Sequence, residues 1–147
     1  MKNHFATFLL PEVFLVDLDA LEKKYFEFQK KFHPDKSDEI EQSIAINEAY
    51  EILSNPLKRA AHILQLKDLD VENDEVAPKV DQATLLEVFE MRESGNFTAK
   101  DLSVKIKSLL GEVALNLDNQ DFKAAAQILI RAKYFDKIAK DLKAKNN

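Results

Sequence analysis

Apolar residues at Leu18, Leu21, Tyr25, Phe28 and Phe32 step by three, four, three and four along the chain. This spacing puts them on one face of an α-helix, and no strand would produce it. Asp17, just ahead, offers the N-cap. Pro34 disfavours helical geometry at His33, so the spacing predicts a stop there. Lys23 and Lys30 lie seven apart, as do Lys24 and Lys31, and each pair stacks on one side of the helix away from the apolar stripe. A short loop, Asp35 to about Asp38, reverses the chain. The next helix is predicted from about Glu39 to Leu53, with Ile46, Ala49 and Leu53 facing inward and Ile44, Tyr50 and Ile52 flanking. Two such helices joined by a short loop form an antiparallel hairpin. Before the hairpin, Phe5, Phe8, Leu9 and Phe14 predict a short helix or turn that buries its aromatics and is closed by Pro11. After it, Asn55 caps a helix whose first turn takes Pro56, where a missing N–H costs nothing. That helix carries Leu57, Ala60, Ala61, Ile63, Leu64 and Leu66.

The pattern breaks between Asp68 and Asp81, where Asp68, Asp70, Glu72, Asp74, Glu75 and Asp81 face a single lysine, Lys79, and Pro78 interrupts. This segment reads as an acidic linker, dividing the chain into residues 1–67, 68–81 and 82–147. Helical periodicity then resumes. One helix spans about Gln82 to Ser94 and stops at Gly95-Asn96. Thr98 with Asp101 resembles a capping box. It opens a helix to about Leu117 with Leu102, Ile106, Leu109, Val113 and Leu117 on one side. The last helix spans about Phe122 to Lys143, with Ala125, Ile128, Leu129, Ala132, Phe135 and Ile138 inward. Three helices with short turns predict a small bundle.

Composition agrees. The 147 residues are 46% hydrophobic, which fits a globular chain, and 2 glycines with 4 prolines leave an all-β design short of corners. The fold class expected is all-α. The net charge of −5 lacks the cationic surplus on which duplex binding rests, so no nucleic-acid partner is expected. With 0 cysteines, disulfides and thiolate ligation are excluded. No apolar run approaches a bilayer span, so no membrane partner is expected. The N-terminal MKNHFATFLLPEVF lacks a proper apolar signal core and the arginine- and serine-rich character of a presequence. The expected location is the bacterial cytoplasm rather than the mitochondrial matrix.

The chemically suggestive element is His33-Pro34-Asp35 at the helix-to-loop corner. Taken alone it reads structurally: histidine can pair with free carbonyls at a helix end, proline stops the helix and aspartate starts a turn. A small helical enzyme using His33 as a base oriented by Asp35 is the catalytic alternative. However, Pro34 fixes the backbone between them and no nucleophile is marked. A metal site is poorly served by three scattered histidines, His4, His33 and His62, and neither a metal nor a cofactor is expected.

The order of motifs adds to this reading. A lysine-faced helix, then HPDK, then INEAYEILSNPLKRA, closely resembles the J-domain of co-chaperones over roughly residues 4 to 66. The loop after HPDK is shorter than in most J-domains, and Phe26 and Glu27 fill positions that are often basic. The resemblance implies that His33, Pro34 and Asp35 stimulate the ATPase of a DnaK/HscA-class chaperone. It also implies that Lys23, Lys24, Lys30, Lys31 and Lys36 supply the electrostatic approach. The N-terminal placement of this unit, the opening Phe5, Phe8, Leu9, Leu10, Pro11, and the segments LLEVFEMRE near residue 85 and KYFDK near residue 133 resemble the iron–sulfur assembly co-chaperones of the HscB type. Their C-terminal domain holds an IscU-like cluster scaffold protein. Carried over by position, Leu85, Leu86, Phe89, Glu90, Glu93 and Tyr134 would form the scaffold patch. Read from the residues themselves, Leu85, Leu86 and Phe89 fit either bundle core or an exposed face. A general J-domain co-chaperone with another client is the alternative at this stage.

Overall fold

A computed structural model describes residues 2–32 and 39–145. Among these residues the chain is all-helical: α1 (His4–Thr7), α2 (Leu18–Lys31), α3 (Ile40–Ser54), α4 (Pro56–Leu66), α5 (Gln82–Ser94), α6 (Ala99–Asp118) and α7 (Phe122–Lys145). The starts follow local chemistry. The side chain of Asn3 accepts from the Ala6 amide, that of Asp17 from the Asp19 and Ala20 amides, and that of Asn55 from the Lys58 amide. Thr98 and Asp101 form the reciprocal capping box, with the Thr98 amide 2.8 Å from Asp101 Oδ2 and the Asp101 amide 3.1 Å from Thr98 Oγ1. α5 ends at Gly95, whose φ of 62° is the left-handed geometry that glycine adopts without a Cβ penalty.

Helices α2 and α3 make the expected hairpin, and its polar stitching comes from the NEAY segment. Tyr25 stacks face to face on Tyr50 with centroids 4.0 Å apart. The Tyr25 hydroxyl donates to Asn47 Oδ1 at 2.7 Å, and Gln29 Nε2 donates to the Tyr25 hydroxyl at 2.8 Å. Ile46, Ala49 and Leu53 are buried as their spacing predicts, and Ile44 is exposed. One expectation needs correction: Leu18, in the first turn of α2, is half exposed. Phe5 and Phe8 are fully buried as expected, while Leu9, between them and Pro11, is exposed at a left-handed φ of 57°.

One apolar cluster joins Phe5, Phe8, Leu21, Ile46, Leu53 and Leu64 to Val113, Leu117, Ala126 and Leu129, so it runs from α1 through to α6 and α7. The acidic segment after α4 is part of this packing: Val71 is buried, and Leu69, Ala77 and Val80 lie against the same cluster. A second, smaller cluster of Leu102, Leu109, Ala132, Phe135 and Ile138 fills the far end of the α6–α7 pair.

Two buried polar residues of α4 pin the N-terminal elements. Arg59 donates from Nε to the Phe14 carbonyl at 2.7 Å and from a terminal nitrogen to the Leu53 carbonyl at 2.7 Å, while its guanidinium lies 4.8 Å from the Phe14 ring centroid. These bonds satisfy a charge that would otherwise be costly to bury. His62 Nε2 accepts from the His4 amide at 3.0 Å, so it must be unprotonated there.

Burial holds the His62 imidazole below its ordinary value against the opposing pull of Gln65 and Glu12. His4 is lowered by burial and then by His62, with Glu48 opposing. Both groups therefore prefer neutrality when folded. Their contribution to stability is complete above the unfolded value of about 6.5 and drains away as the pH falls through and below it, towards their lower folded values. Thermal unfolding between pH 7.5 and 5.5 is expected to show a falling melting temperature, and His62→Gln is expected to flatten that slope. A slope unchanged by the substitution would show that the imidazole does not govern it.

Candidate functional site

Two surfaces carry the residues singled out by sequence. The first is the outer face of α2. Its core side is set by Leu21 and Phe28, which leaves Lys23, Lys30 and Lys31 exposed to solvent. Lys24 is different: it is half-buried, and its ammonium donates to the Phe8 carbonyl at 3.1 Å. It closes the end of α1 as well as adding charge to this face. Lys31 sits 5.5 Å from the Phe32 ring centroid, at the C-terminal end of the helix. His33, Pro34, Asp35 and Lys36 lie outside the described residues.

The second surface is the outer face of α5. Leu85, Leu86 and Phe89 are 46%, 58% and 60% exposed, and Tyr134 of α7 is 36% exposed. The choice left open by the sequence is thus resolved: these three apolar residues are not bundle core. Glu90 and Glu93 are exposed on the same helix. Large apolar groups gathered on one face, unlike scattered single ones, mark interaction surfaces.

The inner face of α5 explains why the outer face is fixed in place. Its only buried residue is Thr84. Val88 and Met91 pack, partly buried, against the second apolar cluster, and the rest of the attachment is polar. Arg131 of α7 donates to Thr84 Oγ1 at 2.9 Å and to Glu87 Oε2 at 2.6 Å, and Lys105 of α6 bonds to the other oxygen of Glu87. Both cations also lie over the Phe135 ring, at 4.9 Å for Lys105 and 5.0 Å for Arg131. Burial alone would push the Glu87 carboxyl up, but the bonds from Lys105 and Arg131 outweigh it and hold the group below the usual carboxylate range. Arg92 pairs with Asp141 at 3.1 Å and adds a second, exposed tie to α7. At the start of the helix, Asp81 accepts from the Thr84 amide at 2.8 Å.

Sequence reasoning missed Thr84, Glu87, Lys105 and Arg131 as positioning residues. The one available signal was that Glu87 falls on the side of α5 opposite Leu85, Leu86 and Phe89, where an apolar residue would be expected if the helix packed by its core face. Among the described residues no group of three histidines or carboxylates is placed to hold a metal ion, and no helix is long and apolar enough to cross a membrane. What the two faces offer is binding: a cationic helix beside the tripeptide corner, and an apolar patch edged with acids.

Comparison with known proteins places the α2 face and Tyr134 in recognised units, while the α5 residues 85–93 lie between the two matched segments. A DnaJ domain matches residues 15–62, and an HSCB C-terminal oligomerisation domain matches residues 97–143. The co-chaperone protein HscB homolog of Aliivibrio salmonicida (strain LFI1238) is 30% identical over 162 residues, an alignment covering 95% of this chain and 94% of that protein. The crystal structure of human co-chaperone protein HscB superposes with a TM-score of 0.87 at 24% identity, covering 99% of this chain and 83% of that one. Chaperone HscB from Vibrio cholerae gives a TM-score of 0.82 at 23% identity, over 99% and 98%.

The polar clasp under α5 is open to test. Glu87→Gln keeps the shape but removes the charge that Lys105 and Arg131 share. Because all three side chains remain partly solvated, the loss in a urea melt is expected to be about 1 kcal/mol. Amide exchange should quicken in α5 and stay slow in the centres of α6 and α7. Equal protection of α5 in both proteins would mean that the clasp does not hold it.

Proposed function

The chain belongs to the family of HscB-type J-domain co-chaperones of iron–sulfur cluster assembly, and from that premise we propose that it works as a two-ended adaptor between an Hsp70-type ATPase and a cluster scaffold protein. At one end, Lys23, Lys30 and Lys31, with a smaller share from Lys24, draw an acidic surface of a DnaK/HscA-class chaperone to α2. His33, Pro34 and Asp35, with Lys36, then engage it and stimulate ATP hydrolysis by binding one nucleotide state better than the other. At the other end, Leu85, Leu86, Phe89 and Tyr134 take the apolar part of an IscU-like scaffold, and Glu90 and Glu93 orient it. Holding both partners on one chain raises the local concentration of client at the chaperone without any new contact between them. The chain itself makes and breaks no bonds in this scheme.

The observation that carries the reading is the solvent-facing set Leu85, Leu86 and Phe89 on a helix whose inner face is fastened by charge. An apolar face built this way stabilises nothing within the chain and is explained by a partner.

Two measurements test the two ends separately. His33→Gln is expected to abolish stimulation in a steady-state ATPase assay with the cognate chaperone and to leave the melting temperature unchanged. Full stimulation by this variant would refute the role given to the corner. Leu85→Ala combined with Phe89→Ala is expected to weaken scaffold binding about 10- to 100-fold, as for anchors at the centre of an interface. Because both side chains are already exposed, stability should move by no more than about 0.5 kcal/mol. Wild-type affinity in the double variant would remove α5 from the interface.

A further inference from the structure

The α5 patch does not end at α5. Beside it the acidic segment folds back along α7 and leaves an open groove of about 550 Å³. Its apolar lining includes Val71, Pro78, Val80, Leu85, Ile130 and Tyr134. Val71 and Ile130 are buried and belong to the main core, so the floor is rigid packing rather than a gap between loose side chains. The outer wall is fixed as well. Gln127 of α7 donates to the Lys79 carbonyl at 2.9 Å, and Lys133 pairs with Glu72 at 2.7 Å. Concavities that accept small apolar groups span roughly 300 to 1,000 Å³.

Leu85 and Tyr134 line the groove and are also members of the exposed patch. A partner lying across Leu85, Leu86 and Phe89 therefore passes over the groove mouth. We propose that the scaffold protein inserts one apolar side chain into this groove, from a segment whose flanks are basic. The chemistry of the flanks follows from the surroundings: Asp74 and Lys79 lie on the rim, Lys133 is neutralised there by Glu72, and Glu75, Glu90 and Glu93 are exposed in the segment and helix on either side, so acids outnumber cations around the mouth. The same excess of acids disfavours a second copy of this chain as the occupant, since two chains of net charge −5 would bring Glu75, Glu90 and Glu93 against their own counterparts. The inference rests on the scaffold-binding reading and deepens it. The interface becomes a convex apolar face plus an adjoining socket, and residues 71–80 share in partner choice.

The chain has no cysteine, which allows the socket to be plugged from its edge. Asp74→Cys places a single thiol on the rim, and reaction with a bulky maleimide, followed by removal of excess reagent, fills the mouth. The unreacted Asp74→Cys protein is its own control for folding and charge. Titration calorimetry with the cognate scaffold should show affinity at least tenfold weaker after modification. Lys107→Cys, modified in the same way on the far side of α6, should bind as before. If the plugged protein binds as well as its unreacted form while Leu85→Ala with Phe89→Ala binds poorly, the socket is empty in the complex, and this inference falls while the adaptor reading stands. If neither change affects binding, the adaptor reading falls and takes the inference with it. If plugging abolishes self-association seen by sedimentation but not scaffold binding, a second copy is the occupant and the proposal is overturned.

Discussion

The continuous apolar cluster that links α1 through α4 to the ends of α6 and α7 is the constraint on which everything else depends. Phe5, Phe8 and Leu64 share it with Val113, Ala126 and Leu129. An adaptor whose two ends shared no core would join its partners through a tether of variable reach. Here α2 packs on this interior directly, and α5 is fastened to α7, which is built into it. Densely packed interiors transmit displacement instead of absorbing it. The acidic segment reinforces this, because its Val71, Ala77 and Val80 pack on the same cluster while its carboxylates face water.

Polar groups then set what the apolar packing leaves undecided. Arg59 and His62 tie the segment before α2 and the start of α1 to α4. Asn47 and Tyr50 fix the stagger of α2 against α3. Glu87, Lys105 and Arg131 fasten α5. In each case a charge or amide with few satisfying geometries selects one arrangement among several that apolar contact alone would tolerate. The motif residues of the J-domain-like segment serve this purpose: Asn55 and Pro56 start α4, Arg59 anchors it, and Lys58 pairs with Glu51 at 2.9 Å on its surface.

Periodicity made most of the fold legible. The three- and four-residue steps located six of the helices, and Asn55, Thr98 and Gly95 marked their ends, because caps and apolar stripes are local properties of sequence. The short α1 was expected as a helix or turn, and it is a helix. What stayed hidden depends on tertiary partners. Nothing near Arg59 or His62 in sequence announces burial, since their partners Phe14 and His4 lie far away along the chain. Lys24 looks like its neighbours until Phe8 is placed beside it. The candidate patch was legible as a set, since positions 85, 86, 89, 90 and 93 share a helical face. Periodicity alone could not say whether that face looked in or out, because the opposite side mixes Val88 and Met91 with Thr84 and Glu87, which become an inner surface only once Arg131 and Lys105 meet them.

The way α5 is fastened has an evolutionary corollary. A helix that commits its apolar side chains to the core cannot alter them without unsettling the whole molecule. α5 commits Thr84, Val88, Met91 and an ion cluster, and keeps its leucines and phenylalanine outside. Substitutions on that outer face escape the penalty that interior changes incur. Under the proposed adaptor function, lineages can therefore retune the recognised cargo by drift at a handful of positions while the α2 face and the interior stay as they are.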